Sequence, residues 1–567
     1  MCGIWLYLAK NETFDEELIL ETANKIKPRG PDMSSSQKIE FGNYTLYLNF
    51  YRLAIMDLSE KGMQPFFIQD ENRSIHLMCN GEIYNYEYLV DKYNLQNKLS
   101  SHSDCEVLIH LYQLIGIDKL YEELNGDEVS GEFAFIIVDK NDTSLKIHVA
   151  RDMGGVRPLY VSNSFTQDSI FKSLCFSSQL CGIPNKNIVY CKQFKPFSYN
   201  TYSFDIDISN NNITYISTDK FEFNLRGIPI TIYDEQEALN KVRETFIKCV
   251  EQRMHSDREM MFMCSGGLDS SLCAGIGAKY AELHNMRINT MSIGLEGGTD
   301  EKYARLVGEH INSKHLHVTC TEEEFLDAAK NRVIDTVESY DITTVRASTG
   351  QLIAAEKIRE FTDCKVVIIG DYSDEITGGY NETKYAPNID EFSERIYELV
   401  ENIHYFDAQR ADRCIAMNGL EARTPFGDHR FIKLYLSIDP QLRIHRNGVE
   451  KYLLRKAFEG TQYIPDEVLW RPKEAFSDGV SSIKKSWYTI LQEDIDKMYT
   501  EEDVEKAKQK YVHTIPYTKE SLHYRKRFCD TFDDNVSIVI PYFWLPKWGN
   551  VKDPSARVLN VYNKEQD

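Results

Sequence analysis

Apolar positions in the first 150 residues fall in short alternating or continuous runs: Ile4 to Leu8, Tyr44 to Phe50, Ile75 to Cys79, Phe133 to Val138 and Leu145 to Val149. Turn residues separate them, with few helical stretches between, so they read as strands of a mostly antiparallel α+β domain. From Asn200 to Ile230 the chain becomes rich in Asn, Asp, Ser, Thr and aromatic residues without a helical period, before Glu235 to Leu239 opens a helix. That change divides the chain into residues 1–205, a linker or edge strands over 206–232, and a second domain over 233–567.

In the second domain strands and helices alternate. The apolar run Met260 to Met263 stops at Cys264-Ser265-Gly266-Gly267-Leu268-Asp269-Ser270-Ser271, after which Leu272, Ile276, Tyr280 and Leu283 recur near helical spacing. Ile288 to Ile293 and Lys365 to Ile369 read as strands, and Lys302 to Ile311 and Glu322 to Val337 as helices. The pattern predicts βαβ units on a parallel sheet, with ligands at the carboxyl ends of the strands. From about residue 485 the chain is rich in Lys, Glu and Tyr, with one apolar run, Val536 to Trp544. Surface packing or a mobile terminus is the expectation there.

Composition narrows the function classes. With 567 residues, 42% hydrophobic and 27% charged, the chain is a multidomain globular protein. Its 65 basic and 87 acidic side chains leave a net charge of −22, which opposes broad binding to nucleic acid or anionic membranes. No run approaches the roughly 18 apolar residues of a membrane helix, and Ile4 to Ala9 is too short for a secretion signal, so a cytoplasmic location is expected. Thirteen cysteines without a Cys-x-x-Cys pair read as free buried thiols.

Cys2 is the exception. Removal of Met1 would set its thiol beside a free α-amino group, whose pKa of about 7.7–8.0 suits a general base. Polar clusters follow the predicted strands: Arg29 to Asp32, Arg52 to Met56, Asn80-Gly81-Glu82 and Ser103-Asp104. The Asn80 amide and Gly81 N–H could serve an oxyanion, while Arg52 with Glu82 and Asp104 complements the α-groups of an amino acid. Taken singly, Asn80-Gly81 is also a common hairpin turn. At Gly266 and Gly267 the backbone can approach an anion, and Asp269 is suited to hold a magnesium ion bridging to phosphates. The loop lacks the Gly-Lys-Ser/Thr ending of a Walker motif. A second strand end, Ile369-Gly370-Asp371-Tyr372-Ser373-Asp374-Glu375, carries three carboxylates within five residues and suits magnesium binding or catalysis.

In this order the first set resembles the class II glutamine amidotransferase domain: Met-Cys-Gly-Ile, Arg29-Gly30-Pro31-Asp32, Arg52-Leu53-Ala54-Ile55, Asn80 to Asn85 and Ser103-Asp104-Cys105-Glu106. The resemblance implies that Cys2 attacks the glutamine amide and that Asn80 and Gly81 stabilise the oxyanion. It also implies that Arg52, Glu82 and Asp104 hold the α-groups, with Leu53, Ala54, Ile55 and Met56 completing the glutamine site. The second domain resembles the ATP-pyrophosphatase domain of glutamine-hydrolysing asparagine synthetases, through Ser265 to Ser271, Ile293 to Gly297, Tyr340 to Thr349, Ser373 to Glu375, Gly419 to Phe426 and Lys473 to Val480. By that resemblance Met263, Ile293, Ile369 and Gly370 hold the adenylate, and Ser265, Gly266, Gly267, Asp269 and Ser270 belong to the ATP site, Asp269 through a metal ion rather than by touching phosphate. Asp269 and Asp374 bind Mg2+, Lys473 neutralises phosphate, and Arg346 is the candidate for the aspartate carboxylate or the intermediate.

The implied reaction forms β-aspartyl-AMP and pyrophosphate from aspartate and ATP; ammonia from glutamine then displaces AMP along a route shielded from solvent. The expected fold is an α+β N-terminal domain, with antiparallel sheets sandwiched by helices, followed by an α/β domain with a parallel sheet and a helical C-terminal extension. No nucleic-acid or membrane partner is expected, and a homodimer is admitted. One departure stands out. The family shows Ser-Gly-Glu-Gly-Ala/Ser-Asp-Glu where this chain has Ile369 to Glu375, so Asp371 is a shorter acid by one carbon–carbon bond of about 1.5 Å. Tyr372 replaces a glycine, and the loop backbone or the pocket above it should differ. The same departure keeps open an amidotransferase for another carboxylate, or a binding homologue without synthetase activity.

Overall fold

The computed structural model describes residues 1–11, 15–165, 171–184, 190–207, 212–474, 476–481 and 486–555. The N-terminal strands are β1 (Gly3–Lys10), β2 (Met33–Phe41), β3 (Tyr44–Arg52), β4 (Phe66–Gln69), β5 (Arg73–Ile83), β6 (Gly131–Asn141), β7 (Ser144–Arg151), β8 (Tyr160–Phe165), β9 (Phe171–Ser177), β10 (Tyr190–Gln193), β11 (Ser198–Asp207) and β12 (Asn212–Glu222). Among the described residues they form two antiparallel sheets, ordered β10-β8-β9-β1-β3-β2 and β12-β11-β7-β6-β5-β4.

Period-two alternation lets each sheet bury both faces. Ile4, Leu6 and Leu8 meet Leu46, Leu48 and Phe50 of β3 and Ala134, Ile136 and Val138 of β6 between the sheets. The intervening Trp5, Tyr47 and Tyr51 pack outward with Ile19 and Ala23 of the helix Glu16–Asn24. On the other sheet, Phe133, Phe135 and Ile137 meet Leu108, Leu111 and Leu120 of the helix Val107–Leu124. The result is the expected sandwich, with each fully buried large side chain contributing about 1.5–3 kcal/mol. Strand β2 escapes a hydrophobic reading because it is an edge strand of mostly polar residues, alternately half-buried and exposed. Strand β12 is likewise an edge, paired to β11 with an irregularity at Ser203/Phe204.

In the second domain β13 (Met260–Met263), β14 (Asn289–Leu295), β15 (Lys314–Cys320), β16 (Val366–Ile368) and β17 (Glu421–Arg423) form a parallel sheet ordered β15-β14-β13-β16-β17. After β13 the chain first runs outward on one side and then returns to the other. The carboxyl end of β13 is therefore the switch point where α/β sheets open a ligand crevice. The helix predicted over Glu322 to Val337 is realised as Glu322–Asp327, a π-turn at Ala328–Arg332, and Val333–Val337. Among the described residues no helix is long and apolar enough to cross a membrane.

The C-terminal stretch is part of the core rather than a loose cover. The helix Lys519–Phe532 buries Leu522, Tyr524, Phe528 and Phe532, and the Trp544 N–H donates to Asp341 Oδ1 at 2.8 Å. The two domains meet through buried ion pairs, Arg29 with Asp412 at 2.6 Å and Glu132 with Arg253 at 2.8 Å. The second is extended within each domain, by Glu132 with Arg157 at 3.1 Å and by Arg253 with Asp428 at 2.9 Å. Removing one partner would strand the other charge in the interior, at a cost of about 3–5 kcal/mol.

Candidate active sites

Cys2 lies just ahead of β1, whose Gly3 pairs with Tyr51 of β3, so the turn after β3 falls against it. The Cys2 thiol faces the Leu53 carbonyl at 3.8 Å, and its own carbonyl accepts from Arg29 Nε at 3.1 Å. Met1 is still attached. Its α-ammonium is buried 3.4 Å from Glu421 Oε2, and burial lowers its pKa. Burial pushes the Cys2 thiol up to about 11, against the pull of that ammonium and of the Leu53 backbone. In this form the thiol is a poor nucleophile, which places Met1 removal ahead of any chemistry at Cys2.

Asn80 is fully buried on β5, and among the described residues neither of its side-chain amide atoms has a hydrogen-bond partner. A buried amide left unsatisfied costs about 1–3 kcal/mol, the mark of a donor held ready for a ligand. At the next residue, Gly81, a β-carbon would sit 2.2 Å from the Glu132 carbonyl, so only glycine fits. Arg52 donates to the backbone carbonyls of Ser59 (2.5 Å), Met56 (3.2 Å) and Asp57. Among the described residues it makes no close ion pair with a carboxylate, although its charge helps to lower the neighbouring Asp57.

The Leu53 to Met56 turn is fixed from both sides. Ala54 N–H donates to Asp32 at 2.9 Å, the Ala54 carbonyl accepts from Arg258 at 2.9 Å, and the Ile55 carbonyl from Asp257 N–H at 3.2 Å. Asp104 accepts from Ile83 N–H at 2.6 Å. Burial raises it to about 6; Glu82 is raised further by burial and by Asp104. The Arg423 guanidinium, 3.6 Å from Glu82, pulls the other way on both carboxyls.

The synthetase-side pocket encloses about 200 Å³ at the carboxyl ends of β13, β14 and β16, where Met263, Ser265, Gly267, Asp269, Ser270, Ile293, Ile369, Gly370, Asp371, Asp374 and Lys473 all line it. Gly266 shapes it from behind: its φ is +81°, its β-carbon would strike Ala304 N at 2.5 Å, and its carbonyl accepts from Arg471 at 3.0 Å. At Gly370 a β-carbon would lie 2.6 Å from Ser270 N, so the two strand-end loops close together only as glycine permits.

Lys451, unforeseen in the sequence, sits between the two aspartates with its ammonium 2.6 Å from Asp269 Oδ2 and 2.5 Å from Asp374 Oδ1. Lys473 reaches Asp374 Oδ2 at 2.6 Å. Burial opposes the Asp374 charge, yet the two lysines hold its carboxyl well below the usual range. One cation already bridges Asp269 and Asp374, so these oxygens converge as a divalent ion requires. Among the described residues no group of three or more metal-binding side chains exists. That fits Mg2+, which takes one or two carboxylates and completes its shell with phosphate and water.

Arg346 is elsewhere. Both its outer nitrogens and Nε are taken by Glu520 (2.6 and 2.8 Å) and Asp553 (2.8 and 2.9 Å), and it is absent from the pocket wall. On the helix Ile342–Phe361 the pocket is lined by Thr343, Ala347, Gln351 and Ala354; Arg346 lies one residue off that stripe and faces the C-terminal segment. We expect Arg346→Ala to lower stability by about 3–5 kcal/mol in thermal or urea unfolding, with the KM for aspartate unchanged in the folded fraction. A raised KM alone would return Arg346 to the site.

Three arginines do line the pocket, Arg410, Arg455 and Arg471, and of these Arg410 stands at the Asp371 end, 2.5 Å from Asp371 and 2.7 Å from Asp407. Burial raises the Asp371 carboxyl and Arg410 pulls it down, while Gln351 Nε2 lies 3.4 Å away. Tyr380 covers this end, its hydroxyl donating to Glu375. Tyr372 is absent from the pocket wall and lies against Gly154 and Gly427, so of the changed residues it alters the domain contact, while Ile369 and Asp371 line the cavity.

Residues 1–204 match the family described as glutamine amidotransferase domain, and residues 241–395 and 383–535 match asparagine synthase. Over 574 residues the chain is 38% identical to a probable glutamine-hydrolysing asparagine synthetase of Acanthamoeba polyphaga mimivirus, covering 99% of this chain and 100% of that one. The glutamine-hydrolysing asparagine synthetases of Gallus gallus and Homo sapiens are 37% and 36% identical over 577 residues, with 99% of each chain covered. With both halves matched and whole-length relatives at this level, the chain belongs to the glutamine-hydrolysing asparagine synthetases, which are amidotransferase ligases.

Proposed function

We propose that this chain makes asparagine through a β-aspartyl-AMP intermediate, releasing pyrophosphate, AMP and glutamate. The observation that carries the reading is one continuous pocket. It joins the phosphate loop, with Lys451 and Lys473, to a polar end built from Arg410, Asp371 and Asp407. A guanidinium flanked by carboxylates complements both α-groups of aspartate, so Arg410 takes the part first expected of Arg346. The side-chain carboxylate of aspartate would then face the α-phosphate lying on the glycine loop.

Mg2+ held by Asp269 and Asp374 would offset phosphate charge. Lys473 and Lys451, freed from those aspartates, would turn to the departing pyrophosphate. Asp371, next to the reacting atoms, would accept a proton as ammonia adds to the acyl carbon. In the first domain Cys2, freed of Met1, would attack the glutamine amide. Asn80 and Gly81 would stabilise the oxyanion, with Arg52, Glu82 and Asp104 on the α-groups. Aspartate labelled with 18O in its side chain tests the intermediate, because one oxygen must leave with AMP. Labelled AMP is expected; asparagine formed with unlabelled AMP would rule the adenylate out.

A further inference from the structure

Tyr372 combines two local penalties beside the synthetase loop. Its φ of +81° and ψ of −19° put a bulky residue in the left-handed region, costing about 1–2 kcal/mol. Its hydroxyl is buried with no hydrogen-bond partner among the described residues, costing about 1–3 kcal/mol more. Strain of this kind persists where the surroundings impose it and gathers at working sites.

The ring is a wedge between the domains. A β-carbon at Gly154 would come 3.4 Å from its Cε1, and one at Gly427 3.4 Å from its Cδ1. Gly154 belongs to the turn after β7, where Arg151 and Asp152 are the nearest charged groups. Neither needs the phenol. Arg151 donates to the carbonyls of Arg157 (2.6 Å), Phe194 (2.7 Å) and Gly155 (2.7 Å). Asp152 accepts from the N–H groups of Phe133 (3.2 Å), Val156 (2.9 Å) and Arg157 (3.1 Å).

The position of this leftover hydroxyl is informative. Asp152 N–H donates to the Phe133 carbonyl at 2.8 Å, and Phe133 pairs directly with Gly81 of the glutamine site. At its other end Tyr372 is bonded to Asp371, which lines the nucleotide pocket. The ring thus spans the distance between the turn hanging from the oxyanion strand and the loop where nitrogen is to arrive.

We propose that the Tyr372 hydroxyl is a binding station for ammonia crossing between the two sites; this rests on the ammonia transfer argued above. A neutral phenol can donate its proton to the nitrogen lone pair and accept an N–H in return. A carboxylate in its place would favour ammonium, which has no lone pair to attack with. Burial keeps the phenol protonated.

Tyr372→Phe removes the oxygen and leaves the wedge. Asparagine formed per glutamate released from glutamine is expected to fall from near one to below about half. Glutamate release and synthesis from saturating ammonia are measured beside it, and the melting temperature should hold or rise because an orphan polar atom has gone. An unchanged ratio overturns the proposal. So does a melting temperature lowered by several degrees, or an equal loss of synthesis from ammonia, since either gives the hydroxyl another job. Wild-type protein that makes no asparagine from either nitrogen source would instead sink the parent reading.

Discussion

Cys2→Ala is expected to abolish asparagine formation from glutamine by at least about 10⁴-fold, while synthesis from added ammonia stays within about twofold of wild type. The separation follows from the geometry. Among the described residues the thiol makes one polar contact, the 3.8 Å approach to Leu53, and packs beside the core between the sheets, where a methyl group can stay. The backbone carbonyl that Arg29 holds is untouched by the substitution. Alanine therefore deletes the nucleophile and leaves the domain contact intact. Glutamate and asparagine measured with each nitrogen source decide the matter. Residual glutamine use near the wild-type rate would move the nucleophile elsewhere, and equal loss with ammonia would mean that Cys2 supports the fold.

Lys451→Met should have the opposite profile: pyrophosphate release reduced about 10²–10³-fold, with glutamate release from glutamine preserved. The side chain is 1% exposed and neutralises Asp269 and Asp374 together. Without it Asp269 loses its ion-pair partner and Asp374 keeps Lys473 alone, and the unliganded protein should lose about 3–5 kcal/mol. Magnesium with ATP supplies replacement positive charge, so the melting temperature of the variant should recover with these ligands more than that of wild type does. A variant equally stable with and without them would show that Lys451 is not the charge those aspartates rely on.

Much of both sites could be read along the chain because their parts are local. Ser265 to Ser271 and Ile369 to Asp374 are single strand ends, and their glycines mark where backbone must come close to backbone or ligand. Asn80 and Gly81 are adjacent on one strand. Lys451 and Arg410 were hidden for the converse reason. They reach the pocket from segments 182 residues beyond Asp269 and 39 beyond Asp371, and no glycine or strand end beside them marks the destination. A faint signal existed at Lys451, a lysine opening the apolar turn Tyr452-Leu453-Leu454 with Arg455 four residues on. Arg346 misled because a motif names a helix without naming its face: a single residue's rotation of about 100° separates it from the pocket stripe. The tail's packing was equally illegible, since its anchors are the buried Glu520 and the distant Asp553.

The burial of Met1 against Glu421 sets a schedule for biosynthesis. A processing enzyme must grip an extended N-terminus, and that terminus is closed in once the segment carrying Asp412 and Glu421 docks. Ribosomes add roughly 5–20 residues per second, so the 400 or so residues between take about 20–80 s to emerge. Excision of the initiator methionine has that interval. On the proposed mechanism, a molecule that folds with Met1 in place has no free amino group at Cys2 and is expected to use ammonia but not glutamine.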